Sequence, residues 1–392
     1  MYVYSNNSDN SASGTFTLNG GNIIGNTVTG SDSGSGGVYV NSVDNYYPHS
    51  TFTMTGGSIA GNYTGGAGGG GVMINYLSSF TMSGGKIVGN TAAQRGGGGV
   101  DAWSGTFEMT GGEIKGNKAT QDGGGVAVNL DTAATFKVSG APVISGNTKV
   151  TGESESPNNV HLSKSNGGKV FVTVTGPLTR GTTGAEIWIS NPLTKDENFA
   201  TGHTDTDTAK TYSVTATDAP CFHPDSGTLV AGVTTPSGKT GKDSTLGWGT
   251  PVAQRGDTKY ISVQDAVNDT AASGEITMIA DSTEPTVVVD KEITLDLAGF
   301  VLANNGTAKT VKVNGTDCDS KSVIFVASTG NLTVTDNSTT KKHYFMYKSG
   351  EKWVKTDTTS ETPISAFDLS NATSGNSVYY VEGGCITSGT GI

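Results

Sequence analysis

"SSFTMSGGKIVGN" (Ser78–Asn90) decides the fold, because close variants of it recur along the first 150 residues. Aligned on phenylalanine, the variants are "TFTLNGGNIIGN" (15–26), "TFTMTGGSIAGN" (51–62), "SFTMSGGKIVGN" (79–90), "TFEMTGGEIKGN" (106–117) and "TFKVSGAPVISGN" (135–147). The phenylalanine steps are 36, 28, 27 and 29 residues. A second element falls between them: "GGVYVN" (36–41), "GGVMIN" (70–75), "GGVDAW" (98–103) and "GGVAVN" (124–129). Such a period belongs to a solenoid, propeller or array, and about 27 residues is too short for a four-stranded blade.

Within each unit the apolar residues alternate, as in "TFTMT", where Phe52 and Met54 share one side and the threonines share the other. Val72 and Ile74 of "GVMIN" and Ile59 of "GSIAGN" point inward on the same logic. No segment shows apolar spacing of 3.6 residues. Three short strands per turn predict a right-handed parallel β-helix, whose coils stack ~4.8 Å apart and place equivalent residues on one another. Phe16, Phe52, Phe80, Phe107 and Phe136 are then one interior ladder. Leu18, Met54, Met82, Met109 and Val138 form a second, and Ile23, Ile59, Ile87, Ile114 and Val143 a third. The Gly-Gly pairs supply corners with positive φ. Asn26, Asn62, Asn90, Asn117 and Asn147 follow glycine at one corner, where asparagine tolerates the left-handed region and its amide bonds along the stack.

The period breaks after Asn147. We expect a parallel β-helix of about five coils over 1–163, then a β-rich cap covering its open end over 164–250. A restart follows over 251–392. "KYISVQDAVNDTAAS" (259–273) reads as a short capped helix starting after Ser262. A run of strands then begins a second β-helix, and "KKHYFMYKSGEKWVK" (341–355) reads as an inserted hairpin. "MYVYSN" resembles the tail of a "GGVYVNS" element, and "GGCITSGTGI" the opening of another coil, so both ends read as lying inside repeats.

Composition narrows the function. The chain has 392 residues, 58 of them glycine, a net charge of -11 and only three arginines, Arg95, Arg180 and Arg255. This acidic balance disfavours a nucleic-acid partner. Three scattered cysteines form no metal-binding spacing. No apolar run has the ~18 residues of a spanning helix, and the N-terminus has no signal-peptide pattern, so any export signal or anchor is expected outside this segment.

"TFTMTGGSIAGN", "GGGGVMIN", "GDTKYISVQDAV", "KEITLDLAGFVL" and the run from "HYFMY" to "GGCITSG" resemble the right-handed β-helix repeat proteins on the surface of anaerobic gut Firmicutes. Their GG-x-I tetrads are similar, more loosely, to chlamydial polymorphic membrane protein repeats, without the companion F-x-x-N tetrad. The resemblance implies a secreted or cell-surface adhesin-like protein. It implies a host protein or glycan partner; no enzyme activity and no cofactor are expected.

The rival is a carbohydrate-active β-helix enzyme or a lectin-like module, but no Asp-Asp pair, G-H-G or R-x-K element is present. Candidate ligand contacts sit where the repeat is broken. One is the expanded loop with Tyr46, Tyr47 and His49. The other is the basic-aromatic hairpin with Lys341, Lys342, Tyr344, Tyr347 and Trp353. His203, Asp205 and Asp207 in "GHTDTDTAK" are a weaker candidate metal set, against which stands a solvated polar loop. The outward Thr-x-Thr rank is interrupted by Glu108 and Lys137, which removes an ice-binding reading.

Overall fold

The structure is a computed structural model that describes residues 1–5, 13–30, 34–42, 49–129, 134–165, 168–191, 193–204, 211–234, 244–313, 315–338, 343–349, 352–355 and 378–388. The chain divides into two compact units, Met1–Gly249 and Thr250–Ile392.

The first unit is a parallel β-helix. Its coils contribute to four rows of strands where three were expected. The phenylalanine row runs Thr15–Leu18, Thr51–Met54, Ser79–Met82, Thr106–Met109 and Thr135–Gly140, and continues through Val172–Leu178 and Asn198–Thr204. The isoleucine row runs Asn22–Ile24, Ser58–Ala60, Lys86–Val88, Glu113–Lys115 and Val143–Ser145. A short row begins with Thr27–Val28 and Tyr63–Thr64 and ends at Thr148–Thr151, where Ser154–Pro157 folds back antiparallel. The valine row runs Tyr2–Ser5, Val38–Ser42, Val72–Ile74, Val100–Ala102, Val126–Val128 and Val160–Leu162. Both the isoleucine and valine rows pair with Glu186–Asn191, so two faces of the coil converge there. Strands at Thr245–Gly249 and Val230–Thr234 then pair antiparallel on the end of the phenylalanine row.

Register follows from which residues fill the interior. Phe52, Phe80, Phe107 and Phe136 are fully buried, and successive rings from Phe16 onward stack at centroid distances of 4.5–5.2 Å with planes within 14°. At such offsets parallel rings gain more than their buried area alone provides. The third apolar ladder ends on Ile144 rather than Val143: Ile114 pairs with Ile144, and Glu113 with Val143. "GAPVISGN" carries one residue more than "GGEIKGN", and the extra residue moves the inward position by one.

At the asparagine corner the expected amide bonding along the stack is present, while the backbone conformation differs from expectation. The left-handed backbone belongs to the glycine before each asparagine (Gly25, Gly61, Gly89, Gly116 and Gly146, φ 60–68°) and not to the asparagine. Each asparagine instead gives both its backbone N–H and its Nδ2 to the Oδ1 of the next coil's asparagine, at 2.8–3.0 Å, from Asn26 through Asn62, Asn90 and Asn117 to Asn147. The chain of bonds extends two members beyond the repeats. Asn147 donates to Asn159 Oδ1, and Asn159 donates to the carboxylate of Asp225, which only accepts and so ends the run.

The glycine-rich arches before the valine row are equally tight. A Cβ on Gly69 or Gly97 would lie 1.9 Å from the carbonyl oxygen of Val72 or Val100. Those runs therefore serve close backbone approach.

In the second unit the helix is Val263–Asp269, and Ser262 Oγ accepts from Asp265 N at 2.9 Å. The buried Glu284 carboxylate accepts from Val263 N and Gln264 N at 2.9 and 3.0 Å. Parallel rows follow: Ser273–Met278, Glu292–Asp296 and Asn331–Thr335; Ser282–Glu284, Val301–Asn304 and Cys385–Ser388; Val287–Val289 and Ile324–Val326. His343–Ser349 pairs antiparallel with Lys352–Lys355 as a hairpin, and also with Val378–Glu382.

Candidate ligand-binding face

The predicted contact residues are only partly within view. Tyr46, Tyr47, Lys341, Lys342, Asp205 and Asp207 lie outside the described residues. His49 is half-buried, and its Nδ1 has no partner among the described residues. Tyr344, Tyr347 and Trp353 are placed by backbone register alone, with Tyr347 opposite Val354 and Trp353 opposite Lys348. His203 pairs through its backbone with Tyr212. Among the described residues no three His, Cys, Asp or Glu side chains converge as a metal site.

A different face carries the chemistry. In the valine row, Val and Ile point into the helix, and the residue between them points outward: Tyr2 pairs with Tyr39, Tyr39 with Met73, and Met73 with Asp101 in successive coils. The Tyr2 ring packs on Tyr4 at 5.1 Å and on Tyr39 at 5.2 Å, and Tyr2 and Tyr4 remain 54% and 40% exposed. The asparagines two positions on hold these tyrosines from the next coil. Asn41 Nδ2 donates to the Tyr2 hydroxyl at 3.0 Å, and Asn75 Nδ2 to the Tyr39 hydroxyl at 3.2 Å. Burial pushes the Tyr39 hydroxyl above its ordinary pKa, the bond from Asn75 opposing this, so it is a neutral donor. The Oδ1 of the buried Asn41 has no partner among the described residues.

Tyr76 extends the platform. Tyr76 and Leu77 both have left-handed φ, 45° and 54°, which is uncommon for bulky residues. Three bonds hold the turn. Ser78 N donates to Asn75 O at 3.1 Å, Leu77 N to Ser104 O at 2.8 Å, and Tyr76 N to Ser104 Oγ at 2.7 Å. The turn leaves Tyr76 42% exposed. In the next coil the Arg95 guanidinium lies 5.1 Å from the centre of the Trp103 ring.

Further along the same row, Asp101 is buried beneath the glycine arch. Its Oδ1 accepts from Asn129 Nδ2 at 2.7 Å, while Oδ2 has no partner among the described residues. Burial pushes the carboxyl up to about 7, with the Asn129 bond and the Arg95 charge opposing. A Cβ on Gly96 would lie 2.5 Å from Oδ2, so that oxygen is closed off from a substrate. Beyond it, Lys149 Nζ bonds Asp122 at 2.9 Å, and His161 Nδ1 stands 3.9 Å from the same carboxylate. Burial holds His161 below its ordinary pKa, Asp122 opposing, which favours the neutral ring at pH 7.

Sequence reasoning misses this face because it follows only the inward positions of "GGVYVN". The signal available is the intervening outward residue, together with "NYLSS", where an aromatic enters a tight turn. Compared with protein-family models, curated proteins and solved structures, the chain gives no match.

Proposed function

We propose that this chain belongs to a bacterial cell-surface protein, acting as an adhesin or stalk that carries binding residues on a stiff β-helix. The observation that carries this reading is the pair of continuous interior ladders. Stacked phenylalanines and a buried, fully bonded asparagine run span the coils of the first unit. Such repetition makes a rigid support and leaves variation to the outward residues and loops. A host protein or a glycan is the partner class, and neither cofactor nor covalent step is part of the mechanism. The resemblance to repeat proteins of gut Firmicutes agrees with this assignment, and the low arginine content argues against a nucleic-acid role.

The test is location together with adhesion. Intact producing cells are treated with an impermeant biotin reagent, and beads coated with the chain are applied to mucin and epithelial monolayers. Labelling on intact cells and bead retention above an uncoated control are expected. Labelling only after lysis overturns the reading, as does release of reducing ends from polysaccharides.

A further inference from the structure

We infer that the outward tyrosine face of the valine row binds a neutral oligosaccharide chain. This rests on the surface-display reading above and gives it a site and a ligand class.

Three observations point there. First, the face offers aromatic surface in the open: Tyr2, Tyr4 and Tyr76 are each at least 40% exposed, with Tyr39 beside Tyr2 in the next coil. The weakly polar C–H face of a pyranose packs on such rings, while the phenolic oxygens stay wet. Second, hydrogen-bonding groups accompany the rings in fixed orientation. The Tyr2 and Tyr39 hydroxyls each accept from an asparagine amide, so each hydroxyl proton is left to donate outward. Hydroxyl donors beside an apolar platform match a polyol. Tyrosine also brings large contact area at small entropic cost.

Third, the charges exclude the alternatives. Arg95 is engaged over Trp103, Lys149 is paired with Asp122, and the chain carries -11 overall, so sulfated or uronate-rich chains meet net repulsion. No deep cavity is required: Tyr2 and Tyr4, Tyr39 and Tyr76 stand in successive coils, and an extended ligand lying across them gains contacts from several rings.

The experiment is affinity gel electrophoresis of the full chain through gels containing soluble neutral polysaccharides (galactomannan, arabinoxylan, mixed-linkage β-glucan, dextran) or polyanions (polygalacturonate, hyaluronan, heparin). The comparison is a triple variant, Tyr2→Thr, Tyr4→Thr and Tyr76→Asn. Threonine keeps strand preference at the first two sites, and asparagine tolerates the left-handed turn at the third. Circular dichroism and the thermal midpoint verify that the variant is folded. If the triple variant melts early, Tyr2→Thr alone, at an exposed strand position, is scored in its place. Retardation by at least one neutral polysaccharide, weakened at least tenfold in the folded variant, is the expected result. Retardation by none of them, by polyanions alone, or undiminished in the variant overturns the inference. Those outcomes leave cell-surface labelling and bead adhesion untouched, so the failure of this site and of the surface reading are told apart.

Discussion

Asp101 shows how one buried carboxyl makes the first unit sensitive to pH. It faces Asn129 from the next coil, Arg95 and Gly96 from the arch, and Tyr39, whose titration it also affects. Its folded pKa, about 7, lies above the ordinary value of 3.8, so the native state holds the proton more tightly than the unfolded chain. The stabilisation is therefore complete below pH ~4 and is lost as pH rises through 7, each tenfold difference in proton affinity being worth about 1.4 kcal/mol. His161, shifted downward, works in the opposite sense below its ordinary pKa. Comparison of Asp101→Asn with the parent isolates the carboxyl. Denaturant melts at pH 5 and pH 8 should show the variant near the parent at the lower pH and more stable by a few kcal/mol at the higher. An unchanged difference between the two pH values would place the Asp101 carboxyl in water.

At the scale of the element, the asparagine run is the most demanding polar feature. Removing the Asn90 side chain strands Asn62 N–H and the Ile59 carbonyl, and takes one of two partners from Asn62 Nδ2, which keeps Ile23 O, and from Asn117 Oδ1, which keeps Asn90 N–H. Each buried orphan costs about 1–3 kcal/mol, with partial relaxation between neighbours. Asn90→Ala is expected to destabilise by about 3 kcal/mol or more in urea melts. Asn26→Ala, at the exposed first coil where no side chain among the described residues donates to it, should cost less than about 1 kcal/mol; equal losses would deny the run its cooperative character. The existence of this run was legible because Gly-Asn recurs at a fixed place. Its amide bonding was legible too, but the left-handed residue was not, since Gly-Asn offers two residues that tolerate that backbone and the glycine takes it. Its last two members, Asn159 and Asp225, were hidden because they fall outside the repeat and are joined only by the fold. The tyrosine face was obscured for a related reason: outward positions vary from coil to coil, Tyr39, Met73, Asp101, Ala127, and periodicity speaks only for what repeats.

Among the described residues each unit holds an apolar core of its own. Its cysteines report on them differently. Cys221 is buried within the first core, whereas Cys318 is exposed on the strand Thr316–Ser320. Maleimide labelling of the native chain, mapped by peptide mass, should modify Cys318 readily and Cys221 at least a hundredfold more slowly, the difference vanishing in denaturant. Equal native rates would mean that the first core is open at Cys221.

The asparagine run also bears on how the protein ages. Spontaneous deamidation begins when the backbone nitrogen of the following residue attacks the side-chain amide. In the run that nitrogen is already committed: Tyr63 N, Thr91 N and Lys118 N donate to the carbonyls of Asn26, Asn62 and Asn90 at 2.8 Å. The interior amides are buried as well, and the residues after them are bulky. Asn19 is exposed and followed by Gly20, whose N–H donates to no backbone carbonyl among the described residues. Chemical wear would then fall on the surface corners, and the bonds that hold the coils in register would outlast them.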